Sequence, residues 1–439
     1  MLIERQPSPG WLPFSLSRWR GKRVFAGAAR DGSQCLTQFR RQLRTITRPL
    51  RAGLLAAGVV SACASGRAAS ATPVTPVAVA PLPPELQALV DAARPTWSWS
   101  ASTQFGAGYK DNLVLSHTAP EASGFVRGGF DFLLMRPAKE PGGRTDFSLF
   151  AFGEGTRYLD GESVQHEALA GARADGNWRP GDSLKLSAMA GVFYSDDVLD
   201  HSDTGVQRVV VQTQRMVPMA GPTLRWTPRP WWWIEVRGEV RRENERSGVD
   251  EAGVREGSAQ LGWKPARRFE AKFTAGEVRR RFDAREQFSF GGRPVAGTEL
   301  RVAVRDWEAQ GDVTWDAAGR WKTTTRLSRI DYRDNGSGFF NYRQRRVRQR
   351  VEWADGAWRV RLEGSARRLD YELQTVGLGI APPSRVKEEF SGELRVERRL
   401  SPSWSVFGEQ RWERSRSNDP FASYRANEGL LGVVWNWDK

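Results

Sequence analysis

From Thr96 to the C-terminus the side chains alternate in character with a period of two, over one run after another of ten or more residues. A helix would return apolar residues every three to four positions. A period of two places successive side chains on opposite faces of an extended strand. In the first run Trp97, Trp99, Ala101, Thr103, Phe105, Ala107 and Tyr109 alternate with Ser98, Ser100, Ser102, Gln104, Gly106 and Gly108. Leu184, Leu186, Ala188, Ala190, Val192 and Tyr194 repeat the pattern, as do Trp358, Val360, Leu362, Gly364 and Ala366 against Arg359, Arg361, Glu363, Ser365 and Arg367. The pattern predicts strands at roughly 96–109, 124–136, 145–159, 166–178, 183–196, 208–226, 231–244, 254–263, 269–282, 300–315, 321–332, 342–353, 357–371, 386–400, 404–415 and 423–437. About sixteen strands of this length suit a transmembrane antiparallel up-and-down β-barrel over 96–439, in which one face of every strand meets lipid.

Three places strain the count and leave 14 or 18 strands open. The run 145–159 changes phase between Leu149 and Phe150, the run 208–226 contains Pro218 and Pro222, and the run 269–282 ends in Arg279, Arg280 and Arg281. Proline has no N–H to give to a β-ladder.

The connections fall into two classes. After even-numbered strands they are short and rich in Pro, Gly or Asp, as in Arg179-Pro180-Gly181-Asp182, Thr227-Pro228-Arg229-Pro230, Ala354-Asp355-Gly356 and Ser401-Pro402-Ser403. After odd-numbered strands they are longer and polar, up to 283–299, which is the best candidate for a constricting loop. Short turns at one end and long loops at the other are a membrane-barrel signature. Of the 17 Trp after residue 71, 15 fall at strand ends on the short-turn side or at the barrel's termini. Among them are Trp97, Trp99, Trp178, Trp226, Trp231, Trp263, Trp315, Trp321, Trp353, Trp358, Trp404, Trp435 and Trp437. Indole rings favour the headgroup level, so this placement predicts one aromatic girdle.

The mean hydropathy of −0.54 speaks against helical spans only, because half of each barrel strand faces inward and can be polar. The net charge of +15 is unevenly placed. Residues 1–71 hold 12 Lys and Arg against 2 Asp and Glu, so the remainder is only weakly basic. With no basic recognition helix or aromatic RNA-binding motif, nucleic acid is not an expected partner. Both cysteines, Cys35 and Cys63, also lie in that first segment.

Residues 1–71 read as a leader with a signal peptide. Arg40, Arg41, Arg44, Arg48 and Arg51 form a basic region, Ala52 to Gly66 an apolar one, and Ala69-Ser70-Ala71 a small-x-small cleavage site before Thr72. Val60-Ser61-Ala62-Cys63 also resembles a lipobox, and Arg40-Arg41 a twin-arginine pair. Residues 72–95 read as a periplasmic linker: an Ala/Pro/Val-rich stretch followed by one short helix over 85–94.

Two motifs carry a family resemblance. Gly432-Val433-Val434-Trp435-Asn436-Trp437 resembles the C-terminal signal by which outer-membrane barrels engage their assembly machinery, with Gly432, Trp435 and Trp437 as its matching positions. It departs from that signal at Leu430 and in the added Asp438-Lys439. Gly108-Tyr109-Lys110-Asp111-Asn112-Leu113 is similar to the opening loop of porin-like barrels, some of which accompany exopolysaccharide export. The resemblance implies localisation in the bacterial outer membrane, with outer-membrane lipid and the barrel-assembly machinery as partners.

Alternation assigns Asp306, Glu308 and Asp312 to the lumen, followed on later strands by Lys322 and Arg326; Arg346, Arg348, Arg350 and Glu352; Arg359, Arg361, Glu363 and Arg367; and Glu389, Glu393, Arg395 and Glu397. An acidic wall beside a basic one would orient polar solutes, and the arginine excess would favour anions. Pairing across neighbouring strands would instead neutralise these charges. The readings carried forward are a porin-like channel for small hydrophilic, anionic solutes, a conduit for acidic exopolysaccharide, and a non-conducting structural or adhesin barrel. His117, His166 and His201 lie in loops or at a strand start, without the partners that acid–base or nucleophilic catalysis needs, so no enzyme is expected. No metal-ligand spacing, phosphate loop or cofactor motif is present. The loop 331–336, Asp-Tyr-Arg-Asp-Asn-Gly, reads as a polar turn, with Ca²⁺ binding as the alternative.

Overall fold

The computed structural model describes residues 97–117, 119–136, 144–200, 210–246, 251–316, 318–377, 380–419 and 422–438. The segments expected to be a leader (1–71) and a linker (72–95), both cysteines and His201 lie outside the described residues. The strands are β1 (Ser98–Lys110), β2 (Ser123–Arg136), β3 (Thr145–Tyr158), β4 (His166–Trp178), β5 (Leu184–Asp200), β6 (Val210–Arg229), β7 (Trp232–Glu245), β8 (Ala252–Ala266) and β9 (Phe269–Phe282). They continue with β10 (Gln287–Phe288), β11 (Pro294–Val295), β12 (Arg301–Thr314), β13 (Trp321–Asp334), β14 (Tyr342–Asp355), β15 (Trp358–Thr375), β16 (Ser384–Arg399), β17 (Trp404–Ser417) and β18 (Tyr424–Asp438). β10 and β11 pair only with each other. The other sixteen form one closed antiparallel barrel in chain order, β18 returning to β1.

Closure forces the strands to lean. Followed once around the wall through the paired residues, the register returns to β1 about 20 residues from its start. With ~3.3 Å per residue and ~4.8 Å between strands, that stagger gives a tilt of about 40° and a backbone radius of roughly 16 Å.

The three doubtful segments each form a single strand. In β3 the geometry does not change phase: Phe150 and Phe152 stand on the same face as Glu154 and Thr156, opposite Leu133 and Asp131 of β2. What changes is chemistry, because two phenylalanines take inward positions. In β6, Pro218 and Pro222 pair with Val192 and Ala188 of β5. Toward β7 the ladder skips 217–218 and 221–222 while keeping one register, so each missing N–H falls on that side. In β9, Arg280 faces inward against Val254 while Arg279 and Arg281 face outward.

The seam between the first and last strands is clasped at the loop end. The Asp111 carboxylate accepts the backbone N–H and the side-chain amide of Asn427, both at 2.6 Å. Asn112 donates to the carbonyls of Ser116 and Arg425 at 3.0 Å and accepts the Ser116 N–H at 3.0 Å. The loop motif noted in the sequence therefore holds the start of the first loop, Asp111 and Asn112, against β18. At Gly108 a Cβ would lie 2.2 Å from the Gly429 carbonyl oxygen and 2.6 Å from the Phe125 ring, so no side chain fits there.

Two apolar clusters sit inside the loop end, on nearly opposite sides. In one, Leu113 and Val114 of the first loop pack with Phe125, Tyr158, Val164, Leu430 and Phe407. In the other, Phe282, Leu300, Val302, Tyr332, Tyr342, Leu369 and Tyr371 hold Phe288 of the β10–β11 hairpin and Phe339 and Phe340 of the loop 335–341. Phe288 lies 5.0 Å from Phe340 and 5.8 Å from Phe339, ring centre to ring centre. Loop 283–300 thus leans inward. In the turn at 334–341, the Asp334 carboxylate accepts the N–H groups of Gly336, Gly338 and Phe340 at 2.8, 2.9 and 2.8 Å. Those bonds make it the organiser of a turn and occupy the oxygens that a Ca²⁺ ion would need.

Candidate functional site

Ion pairs that skip a strand identify the concave face. Arg127 on β2 bonds Glu428 on β18 at 2.8 Å, reaching past β1, and Arg280 on β9 bonds Glu243 on β7 at 2.9 Å, reaching past β8. The register then assigns every other side chain. Asp306, Glu308, Asp312, Arg326, Arg346, Arg348, Arg350, Arg359, Arg361, Arg367, Glu393 and Arg395 all share this inner face.

Most of these charges are partnered, and the pairing was not legible in the sequence. Arg348 and Arg350 share Glu363, whose oxygens accept their Nε hydrogens at 2.5 and 2.6 Å. Arg361 bonds Glu393, and Arg367 bonds Glu389. Arg395 reaches Glu409 at 3.1 Å, and Arg411 lies between Glu409, Glu393 and Glu428 at 2.7, 3.3 and 3.6 Å. Asp312 accepts bonds from Thr324 and Gln310 and is 4% exposed. Cross-strand neutralisation accordingly accounts for much of the inner wall.

The remainder is concentrated in one place. Among the described residues no acidic side chain pairs with Arg326, and Arg346 bonds only the Ser365 hydroxyl at 3.3 Å. Among the described residues no cation comes within 4 Å of the Asp306 or Glu308 carboxylates, which face the same space from β12. Glu308, Ser328 and Arg346 lie side by side on three successive strands. A band of basic residues on β13 and β14 therefore adjoins an acidic one on β12. The guanidiniums are also wet: the side chains of Arg348 and Arg350 are 30% and 34% exposed although they face inward. Side chains do not fill the cylinder at their level.

The outer face has the opposite chemistry. Phe105, Phe130, Leu224, Val236, Leu261, Phe273, Leu327, Val347, Leu362 and Leu431 all point outward and are exposed. One outward polar pair in this band satisfies itself, the Thr325 hydroxyl donating to the Gln349 side-chain Oε1 at 2.6 Å. At the short-turn end Trp178, Trp226, Trp231, Trp263, Trp315, Trp321, Trp358, Trp404 and Trp435 are exposed. Trp353 and Trp437 join them half-buried against Trp321 and Trp435. Trp233, at the same end of the wall, instead faces the lumen beneath Arg225, whose guanidinium lies 4.3 Å from the ring centre. From the Trp321–Trp353 row to the Arg329–Arg345 row is eight residues along the strand, about 20 Å of height at the wall's tilt, close to the ~25 Å apolar band of membrane barrels. The wall is that of a transmembrane barrel.

Gly432 lies on the inner face, where a Cβ would come within 2.5 Å of the Phe105 carbonyl oxygen and 2.7 Å of the Phe407 ring. Trp435 stacks on Trp404 with 5.2 Å between ring centres and 6° between planes. His117 is exposed in the first loop, and His166 lies 3.4 Å from Asp196 at the rim. Among the described residues no three His, Cys, Asp or Glu side chains gather as a metal site would require.

No family model and no curated protein matches the chain. Among solved structures it is similar to OccAB1 of Acinetobacter baumannii, with a TM-score of 0.44 and 8% identity over 78% of this chain and 96% of that one. It is also similar to the outer-membrane proteins OprD (0.41, 11% identity, 78% and 94%) and OpdK (0.39, 11%, 78% and 99%) of Pseudomonas aeruginosa. The closure and the strand count are read from this chain's own register.

Proposed function

We propose that this protein is a bacterial outer-membrane channel that passes small hydrophilic solutes by diffusion, with a preference for anions. One observation carries the reading. Inside a closed cylinder of roughly 16 Å backbone radius, Arg346, Arg348 and Arg350 stand in succession on β14 with only Glu363 and Glu352 in ion-pair range of the last two, and water reaches Arg348 and Arg350. Sixteen strands enclose more space than wall side chains fill, and the excess positive charge beside Asp306 and Glu308 creates a field across the path. The outer band would face lipid and the tryptophans the inner headgroups. Both termini then open to the periplasm, the long loops to the exterior, and β18 engages the assembly machinery.

The two inward-leaning loop clusters narrow the outer mouth and set the solute size. Purified protein in planar bilayers is expected to give stepwise currents carried mainly by anions. A barrel that inserts but passes no current overturns the proposal, as does a cation preference of the wild type or an anion preference that is unchanged by neutralising Arg346, Arg348 and Arg350.

A further inference from the structure

The outer wall carries a second feature that passage through the lumen does not use. Across β12 to β16, outward residues align in level rows. The uppermost of three rows reads Arg305, Asp331, Arg343, Asp370, alternating in sign strand by strand. The next row down reads Trp307, Arg329, Arg345, Arg368, Glu388, with three arginines directly opposite one another. The row below that is wholly apolar: Ala309, Leu327, Val347, Ala366, Phe390.

Like charges directly opposite one another destabilise a sheet unless something between them compensates. The flanking arginines have partners, Arg329 with Asp331 at 3.3 Å and Arg368 with Asp370 and Glu388 at 2.9 and 3.3 Å. The central one has none among the described residues. Below the arginines the small side chains Ala309 and Ala366 leave an open groove of about 540 Å³ between Phe273, Trp307, Leu327, Val347 and Phe390. The arginine row sits where the apolar band ends, the level of the headgroups in the outer leaflet.

We infer that this face binds a phosphorylated lipid of the outer leaflet, its phosphate seated on Arg345 between Arg329 and Arg368 and an acyl chain lying in the groove beneath. A phosphate offers several acceptor oxygens and a charge near −2, enough to bridge adjacent guanidiniums and relieve their repulsion. Phosphate on arginine and hydrocarbon on the apolar row match the two chemistries in the order the wall presents them. The inference rests on the outer-membrane placement proposed above.

The test uses full-length protein reconstituted in phosphatidylcholine vesicles doped with bisphosphorylated lipid A. The readout is the lipid A that stays bound through detergent extraction, measured by native mass spectrometry. The wild type is expected to retain about one lipid A, with apparent affinity falling at least tenfold in R345Q and further in R329Q/R345Q/R368Q. Dephosphorylated lipid A should bind no better to the wild type than to the variants. Since all three side chains point away from the lumen, channel currents of the variants should match the wild type and confirm that they fold. Equal retention by wild type and R345Q, or equal binding of phosphorylated and dephosphorylated lipid, overturns the inference while leaving the channel proposal standing. Failure of the wild type to insert into vesicles removes both.

Discussion

Replacing Glu363 with glutamine separates a charge effect from a packing effect in the lumen. The carboxylate is the only acidic partner that Arg348 and Arg350 hold in common, and glutamine keeps its shape while removing its charge. Both arginines are about a third exposed, so the lost pairs should lower stability by no more than about 1 kcal/mol. The consequence for permeation is larger than for folding. A unit charge acting through water on an ion about 8 Å away contributes about 0.5 kcal/mol, with opposite sign for anion and cation, so the permeability ratio shifts by about 1 kcal/mol, or roughly fivefold. At 0.1 M salt the ~10 Å screening length cuts this to about twofold. The assay is the reversal potential under a tenfold KCl gradient in planar bilayers. E363Q is expected to move it toward the anion potential, and R346Q to move it by a similar amount in the opposite direction. If E363Q leaves the reversal potential unchanged, or moves it toward the cation potential, these guanidiniums do not line the ion path and the assignment fails.

Other expectations follow from the wall itself. Asp111→Ala removes two charge-assisted hydrogen bonds from the seam and should destabilise the barrel by roughly 2–3 kcal/mol, read from urea unfolding in vesicles. Gly108→Ala places a methyl against the Gly429 carbonyl and should sharply lower the folded fraction seen as a heat-modifiable gel band; full folding would contradict the close approach at that point. Phe288→Ala loosens the β10–β11 hairpin from Phe339 and Phe340 and should raise single-channel conductance and its fluctuation, whereas unaltered currents would mean the hairpin does not narrow the path. Leu362→Arg, on the outer face in mid-wall, should cost about 2–4 kcal/mol in vesicles, while Ser365→Arg on the inner face should cost far less.

The strands were legible because lipid on one side and water on the other impose a chemical alternation that sequence displays directly. The ends of β12 and β14 fall within a few residues of their expected positions for that reason. Alternation failed as a guide only where the two faces exchanged chemistry, as at Phe150 and Phe152, whose rings belong to the lumen. Facing was therefore readable for Arg346, Arg348 and Arg350, but pairing was not. Whether Arg367 meets Glu389 depends on the register between strands and on side-chain reach, neither of which leaves a mark in one strand's own sequence. The inward lean of the loops was equally hidden, although Phe339-Phe340 and Leu113-Val114, apolar residues inside otherwise polar loops, were its available signal.

The bond between Asp111 and Asn427 joins positions 316 residues apart. Its two halves coexist only once the final strand has been delivered, so the clasp works as a completion latch. A chain truncated before β18 leaves two long strand edges bare, and such edges recruit other chains. Partial products should then be recognisable as faulty by their open flank alone, and the finished wall should unfold as one cooperative unit starting at this latch.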